Sequence, residues 1–108
     1  VVSVLDRVVA GGGVNNIGFL CDLFHLANNG DDLDQALDRY ADRIAHVQIA
    51  DHPGRHEPGT GTLNLQRYLR RIEDGGYDGY VALEYIPTGA TVASLGWLPR
   101  ERRSLSLP

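Results

Sequence analysis

The chain has 108 residues, of which 43% are hydrophobic and 22% are charged, and this composition is typical of one small globular domain. A formal net charge of -4 argues against a binding surface for nucleic acid or anionic membranes, which would need clustered basic side chains. The single cysteine, Cys21, cannot form an internal disulfide and no apolar run approaches the roughly 20 residues of a membrane span, so we expect a cytoplasmic protein.

Apolar spacing predicts alternating helices and strands. The first predicted helix covers residues 1–10 and is ended by Gly11, Gly12 and Gly13, and a strand follows over 17–22. The second helix is capped by Asp31 or Asp32 and runs to about Asp42, before a strand over 44–50. The third helix is capped by Asn64 and ended by Gly75 and Gly76, and it precedes a strand over 80–85 and a tail from Pro87 with a short final helix. The continuous apolar run at 17–22 is typical of a strand buried on both faces. In the strand over 44–50, period-two alternation puts His46 and Gln48 on the side opposite Val47 and Ile49.

This alternation predicts right-handed βα units and a parallel sheet, which is an α/β fold. Three strands with two complete crossover helices leave sheet faces and edges uncovered. We therefore expect residues 1–108 to form one partial domain that is truncated at its N-terminus. Strands supplied by another protomer of a homo-oligomer are a less favoured alternative.

Three predicted strands each carry an oxygen donor at or near the carboxyl end, namely Asp22, Gln48 and Glu84. Hard oxygen ligands of this kind suit Mg²⁺ or Mn²⁺, and one cysteine rules out a thiolate site. Each residue also has a structural interpretation. Asp22 could cap a helix, although Asp31 and Asp32 are the preferred caps; Gln48 could hydrogen-bond inside a core, which is equally favoured; and Glu84 could pair with an arginine, because a buried carboxylate needs a partner.

The loop after the second predicted strand is rich in residues that bind oxygen-rich ligands. Arg55 can grip a carboxylate with its planar fork, although an ion pair with Asp51 or Glu57 would instead fix the loop. Substrate contact is the preferred role for His56 and Glu57, with a separate metal site formed by His52, His56 and Glu57 as the alternative. His25 is expected to project from the loop after the first strand. Prolines among the loop glycines argue against a phosphate cradle.

Three segments together resemble the hydroxypyruvate isomerases of the xylose isomerase-like TIM-barrel superfamily. They are residues 46–61 (HVQIADHPGRHEPGTG), 21–25 (CDLFH) and 76–85 (GYDGYVALEY), and residues 96–98 (GWL) resemble the closing segment of that family. The resemblance implies the C-terminal portion of a (β/α)₈ barrel, with the end of the fifth helix, about three βα units, parallel strands and outer helices.

The resemblance also implies roles for individual residues. Asp22, Gln48 and Glu84 match three of the four ligands of one divalent ion, and the first ligand, a glutamate, has no counterpart here. Two glutamates are expected to move a proton through an enediolate, with Glu84 as one of them. His25 and Arg55 would position substrate oxygens, and Arg55 would meet the carboxylate of hydroxypyruvate.

The predicted function is interconversion of hydroxypyruvate and tartronate semialdehyde, with a small hydroxy-keto acid or sugar as substrate. No nucleic-acid or membrane partner is expected, and a homo-oligomer is compatible with the sequence. A ketose 3-epimerase of the same superfamily is the first alternative; Gln48, where the epimerases tend to carry His, and Arg55 favour the isomerase. The second alternative is a non-catalytic remnant that binds a metal or a sugar, which the missing strands and the missing glutamate favour for this chain alone.

Overall fold

The computed structural model describes residues 2–12 and 16–102, and it contains three strands and four α-helices within these ranges. The elements are α1 (Val2–Gly12), β1 (Phe19–Asp22), α2 (Leu23–Asn28), α3 (Leu33–Tyr40), β2 (Ile44–Ile49), α4 (Leu65–Asp74) and β3 (Val81–Leu83), with short 3₁₀ turns at Ala41–Arg43, Ala93–Trp97 and Arg100–Arg102. None of the helices in these ranges has the length and apolar character needed to cross a membrane.

The three strands form one parallel sheet in the order β1-β2-β3, as predicted. Asp22 pairs in register with Gln48, and Gln48 pairs with Ala82 of the third strand. Residues paired in register point to the same face of a sheet, and Glu84 lies two positions beyond Ala82. The three predicted ligand positions therefore belong to one face at the carboxyl end of the sheet.

The other face carries the hydrophobic core. Cys21, Val47 and Ile49 are fully buried, which confirms the predicted alternation in β2. They pack with residues of α2, α3 and α4 that share helical spacing, including Leu23, Leu33, Leu37, Leu65 and Ile72. Helices on one side of a parallel sheet remove its apolar side chains from water, which is the main favourable contribution to this fold.

Prediction of a first strand buried on both faces is wrong at Leu20. This side chain is 50% exposed, because no element of the described chain covers the face that it shares with His46. The third strand is also shorter than predicted, and Val81 and Leu83 are more than one-third exposed at the sheet edge. Pairing still continues past its end, since the Glu84 N–H donates to the Ile49 carbonyl at 3.0 Å.

Two of the predicted helix caps are present. The side chains of Asp32 and Asn64 accept the backbone N–H of Gln35 and Arg67, respectively, each three residues into its helix. The first helix includes Gly11 and Gly12, so these glycines do not end it, and Gly13 lies outside the described residues. Between β1 and α3 the structure has an additional helix, α2, which the sequence pattern did not predict.

Candidate functional site

A cleft of about 330 Å³ opens at the carboxyl end of the sheet, on the face opposite the core. All three predicted metal ligands line this cleft, together with His25. The full lining is Phe19, Leu20, Asp22, His25, Leu26, Asn29, Gln48 and Glu84. The structure therefore brings together side chains that lie 62 positions apart in the sequence, through the parallel register of three strands.

Asp22 has the structural role of a helix cap, which was the less favoured interpretation of its sequence position. Its Oδ1 accepts the His25 N–H at 3.0 Å and caps α2, while Asp32 caps α3 as predicted, so a cap at Asp32 does not exclude one at Asp22. A six-residue helix directly after a strand is too short to show a clear apolar period. The second oxygen, Oδ2, lies 3.8 Å from His25 Nε2. Because α2 spans Leu23–Asn28, His25 lies on a helix and not on the predicted loop, and its side chain is about half exposed.

Gln48 is half-buried within β2 and faces the cleft. Across residues 2–12 and 16–102, no hydrogen bond to its side-chain amide is present, whereas the buried carboxylates nearby are all engaged. An amide at the wall of a cleft, with no hydrogen-bond partner in the described chain, is free to bind a ligand oxygen, water or a cation.

Glu84 is not the buried carboxylate that its apolar strand predicts, since its side chain is 46% exposed. It pairs with Arg55, whose Nη2 lies 3.8 Å from Oε1, and Arg55 Nε donates to the Glu84 carbonyl at 3.4 Å. The predicted alternative in which Glu84 pairs with an arginine is thus present. The predicted alternative in which the Arg55 side chain pairs with Asp51 or Glu57 is wrong, because its partner is Glu84. At 3.8 Å and in contact with water, this pair leaves both side chains accessible to a ligand.

Arg55 is held in an unusual backbone conformation, with φ at +63°, a region that non-glycine residues rarely occupy. Its guanidinium carbon lies 5.4 Å from the centre of the Phe24 ring, within the range of a cation–π contact. The rings of His25 and His52 pack against the same phenylalanine at centroid distances of 5.3 and 5.8 Å. Phe24 therefore supports three polar side chains, a role that its apolar sequence context did not reveal.

Asp51 organises the loop that follows β2. It is 1% exposed, and its two oxygens accept four backbone N–H groups, from His52, Gly59, Gly61 and Leu63, at 2.8–3.0 Å. Burial alone raises the pKa of Asp51, but the four hydrogen bonds outweigh it and hold the pKa below the ordinary value. The sequence pattern predicts Asp51 only as a possible ion-pair partner of Arg55. Its position directly after a strand and before three glycines was the available signal.

Gly61 shows how closely the loop wraps around this carboxylate. A Cβ atom there would lie 2.2 Å from the His52 carbonyl oxygen and 2.8 Å from Asp51 Oδ1. The loop also contains a cis peptide bond between His52 and Pro53. The hydrogen bonds to the buried Asp51 carboxylate fix the backbone of this loop, and they thereby fix the position from which the Arg55 side chain extends.

His56 and Glu57 face the segment after β3. His56 Nδ1 lies 2.7 Å from the Ile86 carbonyl oxygen, and both oxygens of Glu57 accept hydrogen bonds from Thr88. These bonds, from the Thr88 side chain first, hold the pKa of Glu57 below its usual range. No group of three His, Cys, Asp or Glu side chains suited to a metal occurs in the described part of the chain, so the alternative metal site of His52, His56 and Glu57 is wrong.

The family model for the xylose isomerase-like TIM barrel matches residues 3–101. A Streptomyces coelicolor protein provisionally named hydroxypyruvate isomerase is 49% identical over 104 residues, which is 95% of this chain and 37% of that protein. The 2-oxo-tetronate isomerase of Haemophilus influenzae is 38% identical over 93% of this chain, and the hydroxypyruvate isomerase of Escherichia coli K12 is 38% identical over 80%.

Solved structures give the same fold. A crystal structure described as AP endonuclease, family 2, from Brucella melitensis superposes with a TM-score of 0.80 at 35% identity, over 89% of this chain and 36% of that chain. The 3-keto-D-glucoside 4-epimerase of E. coli superposes with a TM-score of 0.71 at 30% identity, over 85% and 36%. This chain spans about a third of the length of the curated relatives that it matches.

Proposed function

The chain belongs to the xylose isomerase-like TIM-barrel family. From this premise we propose that it forms one wall of the active site of an isomerase that acts on a small 2-oxo acid, with hydroxypyruvate as the expected substrate. The observation that carries the proposal is the cleft at the carboxyl ends of the strands, lined by Asp22, Gln48 and Glu84 beside Arg55. Active sites of this barrel fold lie at that end of the strands.

Asp22, Gln48 and Glu84 would hold one Mg²⁺ or Mn²⁺ ion. The donors fit such an ion, because all three offer oxygen, share one cleft, and include an amide that has no hydrogen-bond partner in the described chain. When bound, a divalent ion supplies polarisation of the substrate carbonyl and hydroxyl oxygens. The fourth ligand of the family pattern, a glutamate, has no counterpart in this sequence.

Glu84 is the proposed proton-transfer residue of this wall. Converting hydroxypyruvate to tartronate semialdehyde removes a proton from the hydroxyl-bearing carbon and adds one to the former carbonyl carbon, while the hydroxyl proton moves to the other oxygen. An accessible carboxylate beside a cation can remove or return the carbon-bound proton. Family resemblance assigns the opposite step to a second glutamate that this chain does not contain.

Arg55 is the proposed contact for the substrate carboxylate, with His25 and His56 as further contacts to substrate oxygens. The substrates in the names of two relatives, hydroxypyruvate and 2-oxo-tetronate, are both 2-oxo acids and carry a carboxylate. A guanidinium fork binds a carboxylate through two parallel hydrogen bonds. A sugar substrate without a carboxylate would gain no such contact from Arg55.

The experiment is a steady-state assay of the full-length protein that carries this sequence, with Mn²⁺ and three substrates: hydroxypyruvate, 2-oxo-tetronate and the carboxylate-free ketose D-fructose. We expect turnover of a 2-oxo acid and at least a hundredfold smaller kcat/KM with the ketose. Similarity to a 3-keto-D-glucoside 4-epimerase supports the second candidate, a sugar epimerase. Turnover of the ketose alone would favour that candidate, and Mn²⁺ binding without turnover of any of the three substrates would favour the non-catalytic remnant.

A further inference from the structure

Two loops meet beside the cleft through a set of contacts that we name the loop bridge. It consists of the contacts between residues 55–57, after β2, and residues 84–88, after β3. The Ile86 N–H donates to the Arg55 carbonyl at 2.8 Å, the Ile86 carbonyl lies 2.7 Å from His56 Nδ1, and Thr88 donates to Glu57. Every residue of 55–57 thus contacts the opposite segment.

Glu57 and Thr88 form the side-chain part of the loop bridge. Glu57 is only 8% exposed, and its carboxylate accepts the Thr88 N–H at 3.2 Å on Oε1 and 3.1 Å on Oε2, while the Thr88 hydroxyl donates to Oε1. Hydrogen bonds to a carboxylate are stronger than those between neutral groups. A carboxylate engaged in this way serves the protein and is poorly placed to contact a substrate.

The loop bridge includes the residue with the strained backbone. Arg55 adopts a positive φ that is unfavourable for any side chain with a Cβ, and such conformations persist only where surrounding contacts determine them. On one side the Arg55 N–H donates to the Asp51 carbonyl at 2.9 Å, and on the other the Arg55 carbonyl accepts from Ile86. These contacts direct the guanidinium over Phe24 and to within 3.8 Å of Glu84.

We propose that Glu57 and Thr88 are positioning residues that hold Arg55 next to Glu84, so that the carboxylate of a 2-oxo acid binds beside the proton-transfer residue. This inference rests on the proposed function and deepens it. It also gives Glu57 a different role from the substrate contact that the sequence predicted. The residues act through Arg55 and touch no reacting atom.

The test compares three variants of the full-length protein with the parent at a fixed Mn²⁺ concentration. Thr88→Val removes the hydroxyl from an exposed residue, and Thr88→Ser restores it. Thr62→Val is the matched control, because the Thr62 hydroxyl donates to the His52 carbonyl at 3.1 Å within the same loop and does not reach the loop bridge. Three quantities are measured: KM and kcat for hydroxypyruvate, and the dissociation constant for pyruvate, which has the carboxylate and carbonyl but no hydroxyl to isomerise.

We expect Thr88→Val to raise KM and the pyruvate dissociation constant about three- to tenfold, as loss of one charge-assisted hydrogen bond implies, with kcat within about twofold of the parent. Thr88→Ser and Thr62→Val should match the parent. An unchanged Thr88→Val, an equal effect of Thr62→Val, or a parent that does not bind pyruvate would overturn the inference. A parent that binds pyruvate but isomerises neither 2-oxo acid contradicts the proposed function alone, and the pyruvate constants then decide the inference.

Discussion

The loop after β2 and the cleft at the strand ends both depend on carboxylates, but they use them in opposite ways. Asp51, in the loop, is buried and accepts four backbone N–H groups. Glu84, at the cleft, is nearly half exposed and has one arginine contact at 3.8 Å. A carboxylate whose acceptor sites are filled by the backbone stabilises a loop, whereas one with open acceptor sites is available to a ligand.

The largest expected effect is the loss of activity when the Glu84 carboxylate is replaced. Glu84→Gln should lower kcat for hydroxypyruvate about 10²- to 10⁴-fold, because an amide cannot accept the carbon-bound proton. Its free energy of unfolding should change by less than about 1 kcal/mol, since an exposed ion pair contributes little. Steady-state kinetics and urea denaturation of the same preparation measure both. A kcat within threefold of the parent would remove Glu84 from the mechanism.

The next effect is on stability. Asp51→Ala leaves four backbone N–H groups without their acceptor and should lower the free energy of unfolding by about 3 kcal/mol. Urea denaturation followed by circular dichroism measures the change. Asp31→Ala, at an exposed aspartate for which no side-chain hydrogen bond is found in the described chain, is the control and should stay within about 0.5 kcal/mol. Equal losses in both variants would contradict the assigned role of Asp51.

The third prediction concerns metal binding by the side chains of the cleft. Mn²⁺ at about 100 times its dissociation constant should stabilise the native protein by about 2.7 kcal/mol, because it binds the folded state. Gln48→Ala should reduce this stabilisation, and Gln66→Ala, at an exposed position of α4, should not. Thermal melting with and without Mn²⁺ provides the measurement. Equal metal-dependent shifts in both variants would exclude Gln48 as a ligand.

A smaller loss is expected from crowding the loop. Gly61→Ala puts a Cβ atom 2.2 Å from the His52 carbonyl oxygen, so the backbone must shift at a cost of about 1–3 kcal/mol. Gly89→Ala is the matched control, since no atom other than those of Gly89 and its two neighbours in the chain lies within 4 Å of the added carbon. Chemical denaturation of both variants tests this. If Gly61→Ala is as stable as Gly89→Ala, the loop is not closely packed around Asp51.

The smallest effect is the response to acid. The folded pKa of Asp51 lies below its unfolded value of about 3.9, so its contribution to stability is fully present above about pH 4 and is lost as the pH falls through the folded pKa. The unfolding free energy of the parent should therefore fall more steeply below about pH 4 than that of Asp51→Asn, which does not titrate. Urea midpoints across this range measure the slopes, and parallel curves would contradict the lowered pKa.

Much of the fold followed from local patterns. Val47 and Ile49 are buried opposite Gln48 because a strand alternates its faces, and Asp32 and Asn64 cap helices because their side chains satisfy free N–H groups. The family resemblance and the partial parallel barrel are confirmed by the comparisons. The metal ligands and the substrate contacts remain predictions, although the structure gathers Asp22, His25, Gln48 and Glu84 in one cleft.

Other features could not be read from the chain. Helix α2 has too few residues for a clear period, so a cap at Asp22 was the less favoured interpretation of the sequence. Exposure of Leu20 and Glu84 depends on which elements cover a face, and apolar neighbours in the sequence do not record it. Residue types and spacing were enough to identify the parallel strands and their oxygen-bearing ends, because alternation and helix caps are local properties. Only the tertiary structure decided that Asp51 fills its acceptor sites with loop N–H groups while Glu84 keeps its own open, because hydrogen-bond partners far apart in sequence meet only when the chain has folded.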